Sequence, residues 1–208
     1  MKVDGDVELV LDRAGRVYDK QRAPIGVLET GHFAKAGIKT KYMAGHPEGH
    51  PHMTVDQQRQ FEARKVAISK EQGFELKFTT QVCFESEPII AWEKIMRSNG
   101  ITNTIRPGLG GPASIKTLLR YAKICGAGAS IRALTSGKAS LIAGLLKDSG
   151  PEEVVTQLAA AKGSGQSNFE SVHLFAFGGF LKTTKWVSAV QNGRFKLNPK
   201  DGDFEVQM

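Results

Sequence analysis

Strand-like and helix-like runs alternate along this chain, and that alternation limits the folds open to it more than any other feature. Residues 39–44 predict a strand, and residues 54–72 a helix with Thr54 as N-cap and Phe61, Val66 and Ile68 as apolar positions. Leu76-Lys77-Phe78-Thr79-Thr80-Gln81-Val82 is short and β-rich, so it predicts a second strand. Residues 87–99 carry Ile89, Ile90, Trp92, Ile95 and Met96 as a helical stripe that ends before Gly100. A third strand, 102–106, is expected to stop at Pro107-Gly108, and a helix over 114–125 presents Ile115, Leu118, Leu119 and Ala122. Residues 127–147 predict one or two helices, and 151–162 another with proline in its first turn. After the flexible connector Gly163-Ser164-Gly165-Gln166-Ser167 comes the apolar run Val172-His173-Leu174-Phe175-Ala176-Phe177, a fourth strand, then Gly178-Gly179 and a helix over 180–191.

Alternation of this kind predicts βα units and a parallel sheet, an α/β class. Four strands, centred near 42, 79, 105 and 175, are half of an eight-stranded (β/α)8 TIM-type barrel; an open sheet is the alternative. Residues 1–192 are read as a single partial barrel domain and 193–208 as a loose, polar C-terminal tail.

With 208 residues, 40% hydrophobic and 24% charged, the chain can bury one sizeable core as an ordinary soluble protein. No window approaches the roughly 20 consecutive apolar residues that span a bilayer. The opening Met1-Lys2-Val3-Asp4-Gly5-Asp6 is neither a signal nor a transit peptide. The two cysteines, Cys83 and Cys125, are far apart and without metal-ligand spacing, which fits a reducing, cytoplasmic setting. The net charge of +7 raises the question of nucleic acid, but the cations (Lys35, Lys39, Lys41, Arg59, Arg64, Lys65, Lys94, Arg97) are scattered over polar helix positions. No recognition helix, zinc finger or stacking platform accompanies them, so a solvated surface or a polyanionic small molecule accounts for the charge better.

Ala44-Gly45-His46-Pro47-Glu48-Gly49-His50-Pro51-His52 packs three of the five histidines and a carboxylate onto a loop stiffened by two prolines. Such a loop after a strand is where α/β proteins place binding and chemistry. His46, Glu48, His50 and His52 are also an alternating ligand set for zinc or iron, although without the i, i+4 spacing of a metalloprotease helix; structural hydrogen bonding is the plain alternative. Gln81 at a strand end can donate to and accept from the edge of a bound amide-like ring, or serve the backbone. Arg106-Pro107-Gly108-Leu109-Gly110-Gly111-Pro112 precedes a helix and could cradle phosphate, but it has neither the GxGxxG nor the P-loop spacing.

Taken in order, these segments resemble the methylenetetrahydrofolate reductase family, over residues from about 3 to about 190. The pieces that carry the resemblance are Gly5-Asp6, Ala44 through Pro51, Thr80-Gln81-Val82-Cys83-Phe84, Pro107-Gly108 through Ala113-Ser114, Lys116 through Tyr121, and His173 through Gly179. The resemblance implies a (β/α)8 barrel that binds FAD at the C-terminal strand ends. It implies reduction of 5,10-methylenetetrahydrofolate to 5-methyltetrahydrofolate, NADH or NADPH and the folate taking turns at the flavin. Carried over residue by residue, Asp6 would tune the flavin ring, Ala44 and His46 would line it, and His50 would contact its ribityl or phosphate portion. Lys70, or Lys65 in its place, would neutralise the pyrophosphate. Gln81 would bind the pterin or nicotinamide amide, Tyr121 would stack on the substrate, and Thr117 would add a contact one turn earlier.

One departure stands out: the family barrel has about four further strands before the Gly-Asp segment, the other half of its eight. They carry the glutamate that acts as general acid, so no catalytic residue is assigned here. The chain is therefore expected to be a fragment, with a completing partner chain or homo-oligomer, or a non-catalytic folate- or flavin-binding subunit, as alternatives. A metal-dependent hydrolase built on the histidine loop is a further reading.

Overall fold

The computed structural model describes residues 2–3, 7–8, 10–11, 17–18, 24–50, 53–125, 148–165, 167–198 and 203–207. Short strands β1 (Lys2–Val3) and β2 (Val7–Glu8) pair antiparallel, as do β3 (Val10–Leu11) and β4 (Val17–Tyr18). Helices α1 (Pro24–Glu29) and α2 (His32–Lys35) lead into β5 (Thr40–Gly45), α3 (Val55–Gln72), β6 (Glu75–Cys83), α4 (Ser86–Ser98) and β7 (Ile105–Gly110). Then come β8 (Ala113–Ser114), α5 (Ile115–Cys125), β9 (Asp148–Ser149), α6 (Glu152–Gly163), β10 (His173–Phe175), α7 (Phe180–Gln191), β11 (Phe195–Asn198) and β12 (Asp203–Val206). The four strands expected from the sequence form one parallel sheet in the order β10-β7-β6-β5, so successive βα units are spatial neighbours. The helices expected over 127–147 lie outside the described residues. Among the described residues no helix is long and apolar enough to cross a membrane.

Two compact units make up the chain, Met1–Met43 with Met53–Lys77, and Ala44–His52 with Phe78–Met208; the boundary falls inside β5 and inside β6. In the first unit α1 packs on α3, with Ile25, Leu28, Val66 and Ile68 buried. Thr54 caps α3 as foreseen: its hydroxyl accepts the Gln57 N–H, and the Gln57 side chain accepts the Thr54 N–H at 2.9 Å. Gln72 closes the other end of this contact by donating to the Leu28 carbonyl at 2.8 Å. Not every cation is solvated. Lys41 is buried with its ammonium 3.2 Å from the Phe74 ring centroid, and Lys65 is buried on the inner face of α3.

In the second unit Ile89, Trp92 and Met96 line one face of α4 and are fully buried. Trp92 meets Phe78 of β6 edge to face at 5.9 Å, and burial of two such rings is worth about 2–3 kcal/mol each. Glu93, on the same helix and 2% exposed, pairs with Arg97 and accepts the Asn168 N–H at 3.0 Å.

Two expectations change. The third strand does not stop at Pro107; β7 runs through it to Gly110. Pairing with β6 shifts register between Thr79 and Val82, so the missing proline N–H coincides with a bulge. The ending after Asn192 is not loose either: β11 and β12 form an antiparallel hairpin whose Phe204 is buried and lies 6.2 Å from Trp186 of α7. Alternation of Phe195, Leu197, Phe204 and Val206 with polar residues was the strand signal there.

Candidate functional site

The histidine loop, the ends of β6, β7 and β10, and helix α5 all belong to the second unit. Gly45 ends β5 where only hydrogen fits: a Cβ there would lie 2.6 Å from the Trp92 ring. The loop then folds as a turn, the Gly49 N–H donating to the His46 carbonyl at 3.1 Å, with Pro47 at the second position and Gly49 at φ 94°. This turn brings the His46 and His50 rings edge to face, with centroids 5.0 Å apart; both residues are half-buried. Ala44 is exposed on the strand just before them. His52 and Asp6 lie outside the described residues. Among the described residues no group of three or more histidine, cysteine, aspartate or glutamate side chains gathers around a common point.

Glu48, at the tip of the turn, reaches Cys83 at the end of β6. Burial, with the Glu48 charge and its hydrogen bond to the thiol adding to it, pushes the Cys83 thiol up and keeps it protonated. The same thiol lies 3.5 Å from the Gln81 carbonyl. Gln81 sits on the bulge of β6, half-buried, its Oε1 accepting the Val82 N–H at 3.2 Å. Thr80 fixes that bulge, its hydroxyl donating to the Gln81 carbonyl at 2.9 Å while accepting the Gly108 N–H at 2.7 Å.

The glycines of β7 serve close packing. A Cβ on Gly108 would lie 2.3 Å from the Thr80 carbonyl oxygen, and one on Gly110 would lie 2.8 Å from the Phe84 ring. Ser114 instead closes the start of α5, its hydroxyl accepting the Thr117 N–H at 3.3 Å and sharing a 2.9 Å hydrogen bond with the Thr117 hydroxyl. One turn on, Tyr121 stacks on Phe177, with centroids 4.2 Å apart and planes within 7°. Phe177 in turn stacks on Phe175 at 5.7 Å, and Phe175 meets His173 edge-on at 4.8 Å. Burial, then the Arg106 charge, lower the His173 pKa from its ordinary 6.5.

The two lysine candidates belong to the first unit. Lys70 is exposed in the last turn of α3, whereas the Lys65 ammonium is buried and its pKa lowered, with Glu62 partly opposing the shift. A separate cavity of about 660 Å³ opens between β6, β7 and the N-terminal ends of α4 and α6; Phe84, Glu87, Leu118 and Glu153 are among its walls. It takes in Cys83 but not Ala44, His46, His50, Gln81, Thr117 or Tyr121.

Sequence reasoning passed over Thr80, the Cys83–Glu48 contact and Phe177. The one local signal was two aromatics, Phe175 and Phe177, at alternate positions of an apolar run before a Gly-Gly pair. No protein-family model matches the chain.

Proposed function

We propose that this chain is the C-terminal half of a (β/α)8 flavoprotein of the methylenetetrahydrofolate reductase type. It would reduce 5,10-methylenetetrahydrofolate to 5-methyltetrahydrofolate with NADH or NADPH, in cytoplasmic one-carbon and methionine metabolism. The observation that carries this reading is the placement of four motifs. The histidine loop, Gln81-Val82-Cys83, the Pro107–Gly111 segment and Phe175–Gly179 each fall at the C-terminal end of a different strand of one parallel sheet. Ligands of parallel α/β folds bind at that edge.

The donor set suits the ring and ribityl portions of a flavin. His46 and His50 offer ring nitrogens from a turn held by Pro47 and Gly49, and Ala44 leaves the strand surface low beside them. Bound FAD supplies hydride transfer. The chain's own residues bind and orient: the Gln81 amide donates and accepts along the pterin or nicotinamide edge, Tyr121 offers a ring face, and Thr117 adds a hydroxyl. Protonated Cys83 holds the Glu48 turn against β6, so loop and strand keep their spacing.

The test is a visible spectrum after loading with FAD and removing the excess, followed by anaerobic addition of NADH or NADPH and then methylenetetrahydrofolate. A retained band near about 450 nm, bleached by the nicotinamide and restored by the folate, is the expected result. Flavin and folate binding without turnover would favour a non-catalytic binding subunit. Folded protein that retains no flavin and binds no folate would sink the reading.

A further inference from the structure

We propose that the cavity of about 660 Å³ between β6, β7 and the first turns of α4 and α6 is a second binding site, and that its ligand is a small aliphatic diamine. The cavity lies wholly within the second unit, and its described walls include none of the residues assigned above to flavin or folate. Its size falls in the range of small-molecule pockets, about 300–1,000 Å³.

The floor of the cavity is apolar. Leu109, Leu118 and Val154 are buried there beside the Cys83 thiol, which burial keeps protonated and uncharged. Gly110 leaves the space open, since a Cβ on it would lie 2.8 Å from the Phe84 ring and 3.3 Å from Leu118. The rim carries the charge. Glu85, Glu87 and Glu153 are exposed around it, and among the described walls there is no lysine, arginine or histidine, in a chain whose net charge is +7.

Stabilising the two helix starts does not account for all three carboxylates. Each start brings about half a positive charge, so about one carboxylate balances both, and about two negative charges are left over. Glu85 stands at the N-cap of α4 without a side-chain cap bond. The two glutamates in the first turn of α6 have different partners. Glu152 accepts the Trp186 indole N–H at 2.7 Å, whereas Glu153 stays on the cavity rim and accepts the Gln157 amide N–H at 3.1 Å. The Gln157 carbonyl oxygen in turn accepts the buried Ser86 hydroxyl, so a chain of hydrogen bonds crosses from α4 to α6 and holds the Glu153 carboxylate in place before a ligand arrives. Among the described residues these carboxylates do not converge on one point, as a metal ion would need. A diamine fits instead, with two ammonium groups for the rim and a methylene stem for the floor. The glutamate tail of a folate and the phosphates of a dinucleotide have the wrong sign for this rim, so the cavity does not duplicate the site proposed above.

The experiment titrates 1,5-diaminopentane into the whole chain at low and at high salt and follows the backbone amide signals by NMR. Saturable shifts at Gly110, Gly150 and Val154 are the expected result, with Kd rising as salt screens the exposed carboxylates. 1-Pentanol, which keeps the stem without the charges, and pentanedioate, which reverses them, should each bind at least about tenfold more weakly. Glu87→Gln and Glu153→Gln should each raise Kd about threefold, and the double variant about tenfold. Both side chains are exposed, so neither change disturbs the core. Unmoved signals at the three amides, binding of 1-pentanol as tight as that of the diamine, or a parent-like Kd in the double variant would each overturn the proposal. No flavin or folate enters this titration, so its outcome is independent of the flavin test.

Discussion

The buried Thr80 hydroxyl accepts the Gly108 N–H at 2.7 Å, on the residue that follows Pro107, and so binds β6 to β7 at the point where proline interrupts the ladder. Thr80→Val keeps the shape of the side chain but strands a buried N–H, at a cost of about 1–3 kcal/mol. Thr80→Ser keeps the hydroxyl and should lose less. Urea denaturation of the three proteins checks this; a valine variant as stable as the parent would show the bulge to be held by packing alone.

Gly45 is required by Trp92. A methyl at residue 45 meets the indole at 2.6 Å, and overpacking of this kind typically costs about 1–3 kcal/mol. Gly45→Ala should therefore lower the melting temperature. Trp92→Phe, which shortens the ring, should make the added methyl less harmful in the double variant. Strict additivity in the double-mutant cycle would place the strain elsewhere.

Glu93 holds α4 to the segment before β10 by accepting the Asn168 N–H, and it pairs with Arg97 within its own helix. Glu93→Gln removes the charge that both donors use, and hydrogen bonds to charged groups are worth about 1.5–3 kcal/mol, so a loss of about 2 kcal/mol is expected. Amide exchange at Asn168 should quicken in the variant. Unchanged exchange there would disprove the anchoring role.

His173 gives the second unit an acid sensitivity of known sign. Its folded pKa lies below 6.5 because burial and Arg106, itself paired with Glu170 at 3.3 Å, disfavour the imidazolium. Stability is therefore full above the unfolded value and falls as pH drops below 6.5 towards the folded value. His173→Gln should lose less stability than the parent between about pH 7.5 and pH 5, as measured by urea midpoints, since glutamine does not titrate. Equal losses in both proteins would assign the effect to other groups.

Gln81 and His46 should separate functionally. Gln81→Ala is expected to weaken folate turnover more than flavin content, and His46→Ala to do the reverse, read as absorbance near about 450 nm per chain and as folate KM. If both variants matched the parent, the assignment of the loop to flavin and of the bulge to folate would fall.

By itself the sequence determined the four strands of the parallel sheet and the helices α3 to α7, in their order. The capping box at Thr54, the buried stripe Ile89, Trp92 and Met96, and the β-rich runs around 42, 79 and 175 are local signals, set by side-chain periodicity and caps. It also marked the strand ends where the histidine loop and Gln81 sit. What it could not supply depended on partners distant in the chain. Pro107 reads as a stop until Thr80, 28 residues before Gly108, supplies the hydroxyl that takes up the Gly108 N–H. The glycines of β7 leave a phosphate cradle open as one reading, without its usual spacing, until Phe84 and the Thr80 carbonyl are seen to fill the space above them. Phe177 reads as core until Tyr121 is found parallel to it. Periodicity is a property of neighbours along the chain, whereas a bulge, a close approach and a stacked pair come from the meeting of segments that only the folded chain brings together.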